Sequence, residues 1–166
     1  FVLGDSEEPK DTKAILSRVK CRVLEVVRRL TATHPAFSLF TATSAELAPR
    51  VSPPEPEEAR LLAGTVRNHE ITAEAKTLLS THHPLDHRML GRLLNEHQAV
   101  LRDVLRISTP KIDRMIDAAL ESGAYGAKIN GSGGGGCMFA YAPDRPETVA
   151  AAIKRAGGRA FVVTTD

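Results

Sequence analysis

Apolar residues recur along much of the chain with a period of 3.6. Positions 15, 16, 19, 23, 26, 27 and 30 trace one stripe behind the loop Ser6–Thr12, so an amphipathic helix is expected from about Thr12. A second helix is expected from Pro56, carrying Leu61, Leu62, Val66, His69, Ala73 and Leu78 before Pro84 breaks it. A third begins at Asp86 and keeps the period through Met89, Leu90, Leu93, Leu94, His97, Leu101, Val104 and Leu105. Thr109-Pro110 restarts the chain, because proline suits the first helical position and leaves Thr109 free to cap. Ile112, Met115, Ile116 and Leu120 face inward, and Gly123 stops that helix.

The remainder changes character. Residues 124–130 and 137–142 have strand composition and flank a glycine run; an Ala-rich helix opened by Pro146 and closed by Gly157-Gly158 leads to a last strand, 159–164. Phe1–Asp5 also has strand composition. Between His34 and Glu58 lie five of the ten prolines, which allow short helical turns at most. Two strands joined by a short turn must be antiparallel, and the helices must cover a face. The expected fold is α+β, a two-layer sandwich with an antiparallel sheet and additional helices.

Composition narrows the function classes. The 22 Lys plus Arg stand against 20 Asp plus Glu, a net charge of +2, so polyanion binding is not indicated and no nucleic acid is expected. No apolar run reaches the roughly 20 residues that span a bilayer. Cys21 and Cys137 belong to no CxxC pair and are expected as free thiols, which fits a reducing, cytoplasmic setting. The chain opens with Phe1, already in a strand pattern, and is expected to be a fragment of something longer.

The chemically informative stretch is Gly131-Ser132-Gly133-Gly134-Gly135-Gly136. Five glycines in six positions cost backbone entropy that a simple hairpin does not require. Without Cβ atoms, successive amides can turn inward and meet the oxygens of a phosphate. All six residues are therefore candidate nucleotide-binding positions; the competing reading is a tightly bent hairpin. On the phosphate reading, a branched side chain at Gly134 is expected to fill ligand space and spare the fold. Gly131, Gly133 and Gly136 match G-x-G-x-x-G, but a strand follows where the dinucleotide fingerprint needs a helix. A P-loop needs Lys and Ser or Thr after the last glycine, where this chain has Cys137-Met138.

The segment Gly123-Ala124-Tyr125-Gly126-Ala127-Lys128 through Gly135-Gly136-Cys137-Met138 resembles the third motif of the GHMP kinases. Upstream, Leu94-Asn95-Glu96-His97-Gln98-Ala99-Val100-Leu101-Arg102-Asp103 and Ser108-Thr109-Pro110-Lys111-Ile112-Asp113 are similar to the helix pair before that motif in the galactokinase branch. Two features depart from that branch: no aromatic interrupts the glycine run, and Ala127-Lys128 is similar to mevalonate kinase.

The resemblance implies a ferredoxin-like carboxy-terminal domain over residues 57–166. Residues 1–56 would be the tail of an amino-terminal kinase domain and a Pro-rich connection. It implies ATP and Mg²⁺ as cofactors and a small-molecule partner, a sugar or another alcohol. The alternatives are a mevalonate kinase-type enzyme or a non-catalytic ligand-binding domain of the same fold. The family's first two motifs and its catalytic aspartate have no counterpart here, so catalytic residues are expected outside this chain, and the chain alone is expected to be inactive.

Three other groups carry weaker signals. His82, His83 and His87 beside Asp86 form a small cluster, but adjacent residues rarely aim at one ion, so no metal site is expected there. Neighbours on a helix, Arg102 and Asp103 point in different directions and could reach different partners, but the role expected of them is a solvated or structural ion pair. Lys128 is open to two roles, a point charge toward phosphate or an exposed strand lysine.

Overall fold

The computed structural model describes residues 1–50, 55–80 and 84–164. Four strands, β1 (Val2–Asp5), β2 (Gly126–Ile129), β3 (Cys137–Tyr141) and β4 (Arg159–Val162), form one sheet in the order β2-β3-β1-β4. Every pairing is antiparallel. With helices between β1 and β2 and between β3 and β4, this is the split βαββαβ arrangement of a ferredoxin-like sandwich. The sequence assigns residues 1–56 to a preceding unit, yet β1 is an inner strand of this sheet. Val2 pairs with Ala140 on one side and Val162 on the other. Its alternation explains the placement, since Val2 and Gly4 are buried while Leu3 and Asp5 are not.

One face of the sheet carries Val2, Gly4, Ala127, Ile129, Met138, Ala140 and Ala160, all buried. Two helices cover it. α6 (Pro110–Glu121) contributes Ile112, Met115, Ile116 and Ala119, and α7 (Pro146–Arg155) contributes Val149, Ala150, Ala152 and Ile153. Gly4 is small because a Cβ there would press on Met138, Met115 and Ile153 at 2.7–3.1 Å. The helices can therefore sit directly on the strand. The start of α6 is fixed as the sequence predicts: Thr109 Oγ1 accepts the Ile112 amide and Pro110 occupies the first turn.

The remaining helices are α1 (Thr12–Leu16), α2 (Arg22–Thr33), α3 (Ser44–Arg50), α4 (Pro56–Ser80) and α5 (His87–Ala99). Asp11 and Asp86 cap α1 and α5 by accepting the amides of Ala14 and Met89 at 2.9 Å. Two π-turns, Ser17–Cys21 and Val100–Val104, interrupt what the periodicity presents as unbroken helices. Arg22 and Arg29 of α2 pair with Glu57 and Glu58 of α4. Arg67 of α4 binds Glu70, Glu74 and Glu96 of α5, while Glu70 accepts both the amide and the hydroxyl of Ser44. Among the described residues no helix is long and apolar enough to cross a membrane.

β2 lies at the edge of the sheet, where unpaired backbone groups invite further pairing. α5 closes that edge with two amide side chains. Asn95 accepts from the Ala127 amide at 3.0 Å and donates to Tyr125 O at 3.1 Å, and buried Gln98 accepts from the Ile129 amide at 2.9 Å. This close approach is possible because Gly91 and Gly126 meet backbone to backbone, with no room for a Cβ on either.

Candidate functional site

The glycine run forms the turn between β2 and β3. Gly131, Gly133, Gly134, Gly135 and Gly136 all have positive φ, from +70° to +106°, a region other residues rarely adopt. Two segments distant in sequence pack against the turn. The first is the loop from β1 to α1: the Ser6 amide donates to Gly136 O at 2.9 Å, and Lys10 lies against Gly131 and Gly136. The second is the stretch from the Val100–Val104 π-turn to α6, where Ile107 O accepts the Gly134 amide at 2.7 Å. Thr109 Oγ1 joins the two segments by donating to Glu8 Oε2 at 2.5 Å.

Strain concentrates at this junction. Among the described residues, Glu7 (φ 57°) and Arg106 (φ 53°) are the non-glycine residues with positive φ, and each belongs to one of the two flanking segments. Such conformations cost roughly 1–3 kcal/mol each and persist only where surrounding structure holds them, commonly at ligand sites. Both π-turns also abut the junction. Arg18, within the first, donates to Leu105 O and Arg106 O at 2.8 Å, satisfying carbonyls left open where the second ends.

Packing therefore accounts for several glycines directly. A Cβ on Gly133 would collide with Ile107 O, and one on Gly135 would come to 2.9 Å from Pro9 O. The expectation for Gly134 needs correction. Its Cβ direction runs into Ile15 of α1 rather than into ligand space, so a branched residue there would disturb the packing of α1 as well as any ligand.

The loop nonetheless keeps unused hydrogen-bonding capacity. Among the described residues, the amides of Ser132, Gly133 and Gly135 donate to no partner, and the Ser132 hydroxyl is shielded from solvent without one. Buried polar groups are ordinarily paired, so these donors suit an oxyanion. They fit the phosphates of a nucleotide. Among the described residues no group of three or more His, Cys, Asp or Glu could hold a metal ion.

The other sequence candidates take structural roles. Lys128 is half-buried on β2, not the exposed strand lysine; its Nζ donates to Ile129 O at 2.6 Å and stands 5.3 Å from the centre of the Phe139 ring. Arg102 and Asp103 form a solvent-exposed ion pair with each other at 2.9 Å, within the Val100–Val104 π-turn. His82 and His83 lie outside the described residues, and His87 Nδ1 lies 2.5 Å from the Tyr141 hydroxyl. Cys137 and Cys21 are free thiols. A separate hollow of about 470 Å³, lined by Leu30, His34, Phe37, Ala42 and Glu46 among others, shares no residue with the three segments. Its His34 ring already meets Thr33 Oγ1, and Glu46 already accepts the Thr43 amide.

Burial, with Lys128 nearby, drives His97 down to about 4 from its ordinary 6.5. The folded chain holds the ring neutral, so unfolding takes up a proton between those values. This contribution is fully present above pH 6.5 and is lost as the pH falls toward 4. His97→Gln is expected to flatten the decline by about 1–2 kcal/mol, a range reduced for solvent screening at a partly exposed ring. Urea unfolding at pH 7 and pH 4.5 measures it, and parallel curves for variant and wild type would contradict it.

Comparison with known proteins supplies the family. The family model described as "GHMP kinases C terminal" matches residues 76–159, half of the chain. A mevalonate kinase of Thermococcus onnurineus is 49% identical over 73 residues, which is 44% of this chain and 22% of that protein. A galactokinase of Streptomyces coelicolor is 42% identical over 82 residues, 49% of this chain and 20% of that protein. Among solved structures, Lactococcus lactis galactokinase complexed with galactose superposes with a TM-score of 0.80 at 20% identity, over 97% of this chain and 44% of that one. The Methanococcus jannaschii mevalonate kinase superposes at 0.60 and 18% identity, over 96% of this chain and 37% of that one. The matched stretches thus span about a fifth of the curated relatives' length. The family match, the ferredoxin-like topology and the glycine turn coincide in one region: this chain belongs to the GHMP kinases and carries their carboxy-terminal domain.

Proposed function

We propose that this chain is the carboxy-terminal part of an ATP-dependent kinase that transfers the γ-phosphoryl group to the hydroxyl of a small molecule. The observation carrying this reading is the glycine turn itself, whose unpaired amides and buried, unpartnered Ser132 hydroxyl point to an oxyanion. In this reading residues 131–136 position phosphate oxygens by backbone hydrogen bonds, without acid or base chemistry of their own. Mg²⁺ would be held largely by the nucleotide's phosphates and would neutralise their charge. The catalytic aspartate and the principal ATP loop lie outside these 166 residues.

Two acceptor classes compete. A sugar is favoured by the 0.80 superposition on a galactokinase. A hydroxy acid such as mevalonate is favoured by 49% identity to a mevalonate kinase, along with Ala127-Lys128 ahead of the turn. The test is acceptor-dependent ATP consumption by the full-length protein that contains this chain, across galactose, mevalonate and homoserine.

A further inference from the structure

Lys10 is a cation with no ionic partner inside the site. Its ammonium comes to 3.2 Å from where a Cβ on Gly131 would stand, and its Cδ to 3.4 Å from the corresponding point at Gly136. The side chain thus lies across both ends of the turn, in space that glycine leaves free. Among the described residues it forms no ion pair.

The carboxylates near it in sequence accept hydrogen bonds of their own. Asp5 accepts the Glu7 amide at 2.9 Å, Glu8 accepts the Thr109 hydroxyl at 2.5 Å, and Asp11 caps α1. The loop holding Lys10 is itself fixed to the turn through Ser6 N and Gly136 O, so the ammonium is delivered by the fold and not by a free tail. A positive charge against the two ends of a turn that also offers unpaired amides and an unpartnered hydroxyl makes a donor set suited to an oxyanion.

We infer that Lys10 is a binding residue of this active site, its ammonium closing over an oxyanion held by the glycine turn. The inference deepens the kinase reading and rests on it only for the identity of the anion. A nucleotide phosphate and an anionic group on the acceptor share the required chemistry. A lysine serves as a compact, rotatable point charge, so arginine should replace it in part and a neutral side chain of similar length should not.

The test compares wild type, Lys10→Met and Lys10→Arg in the full-length protein. Binding of inorganic tripolyphosphate, followed by calorimetry, needs no turnover and is independent of the acceptor's identity. Lys10→Met is expected to weaken it at least about tenfold, a modest loss for a charge-assisted contact, with Lys10→Arg recovering part of that and the melting temperatures unchanged. Steady-state kinetics then locate the anion. A raised KM for ATP alone assigns Lys10 to the nucleotide phosphates, and a raised KM for the acceptor alone assigns it to an anionic acceptor. Either supports the inference. Unchanged tripolyphosphate affinity together with both KM values unchanged in Lys10→Met overturns it, as does failure of wild type to bind tripolyphosphate at millimolar concentration. Tripolyphosphate binding that depends on Lys10, without phosphorylation of any alcohol, would sink the kinase reading and leave the oxyanion site standing.

Discussion

Gly133→Ala is expected to lower kcat/KM of the full-length kinase by about 100-fold, the scale seen when a positioning element moves by about 1 Å. Its backbone sits at φ +79°, where a side chain is strained, and an added Cβ would collide with Ile107 O and the Ile107 side chain. Relief requires the turn to move away from the segment preceding α6. That movement breaks the hydrogen bond from Gly134 N to Ile107 O and misaligns the free amides. Gly123→Ala is the matched control: its φ is +104°, but it ends α6 at the opposite end of β2, and its Cβ would have Arg145 no nearer than 3.5 Å. The control should lose about 1 kcal/mol of stability and keep its kcat/KM. Equal activity losses in the two variants would show that backbone strain alone, and not the position of the turn, sets the effect.

Gly91→Val is expected to cost about 3–5 kcal/mol, a large share of the 5–15 kcal/mol that holds a typical domain. A Cβ at Gly91 would lie within 3.0 Å of Tyr125 O, which is backbone and cannot swing aside. α5 must then lift from β2. The lift takes with it the hydrogen bonds of Asn95 to Tyr125 and Ala127 and of Gln98 to Ile129. Each amide left buried and unpaired costs roughly 1–3 kcal/mol. Urea unfolding measures the loss, and a value below 1 kcal/mol would mean that the edge closure contributes little to the fold.

Periodicity made the helices legible, and Thr109-Pro110 located the start of α6 to the residue. The strands beside the glycine turn were also readable, because 2-residue alternation and glycine punctuation are local signals. The position of β1 was not. Its partner β3 lies more than 130 residues away, and nothing local in Phe1–Ser6 marks it as an inner strand of that sheet. The π-turns were hidden for a different reason, since apolar spacing tolerates one extra residue per turn.

Legibility of the site followed the same division. The glycine run announced itself by composition, whereas Lys10 and Arg106 are ordinary residues until folding brings their segments against it. Glu7 gave no warning either, because a positive φ on glutamate is imposed by its surroundings. Asn95 and Gln98 stood in the resemblance to the galactokinase helix as pattern letters. The structure gives them a physical reason, closure of the β2 edge, which does not depend on the acceptor. This is consistent with their presence in a chain similar to both galactokinases and mevalonate kinases.

The most direct test of the kinase assignment is the initial rate of ATP consumption by the full-length protein with and without each alcohol. Expected is saturable ADP formation that depends on one acceptor class, with a matching phosphorylated product. A full-length protein that binds ATP yet phosphorylates none of galactose, mevalonate, homoserine or related alcohols would contradict it.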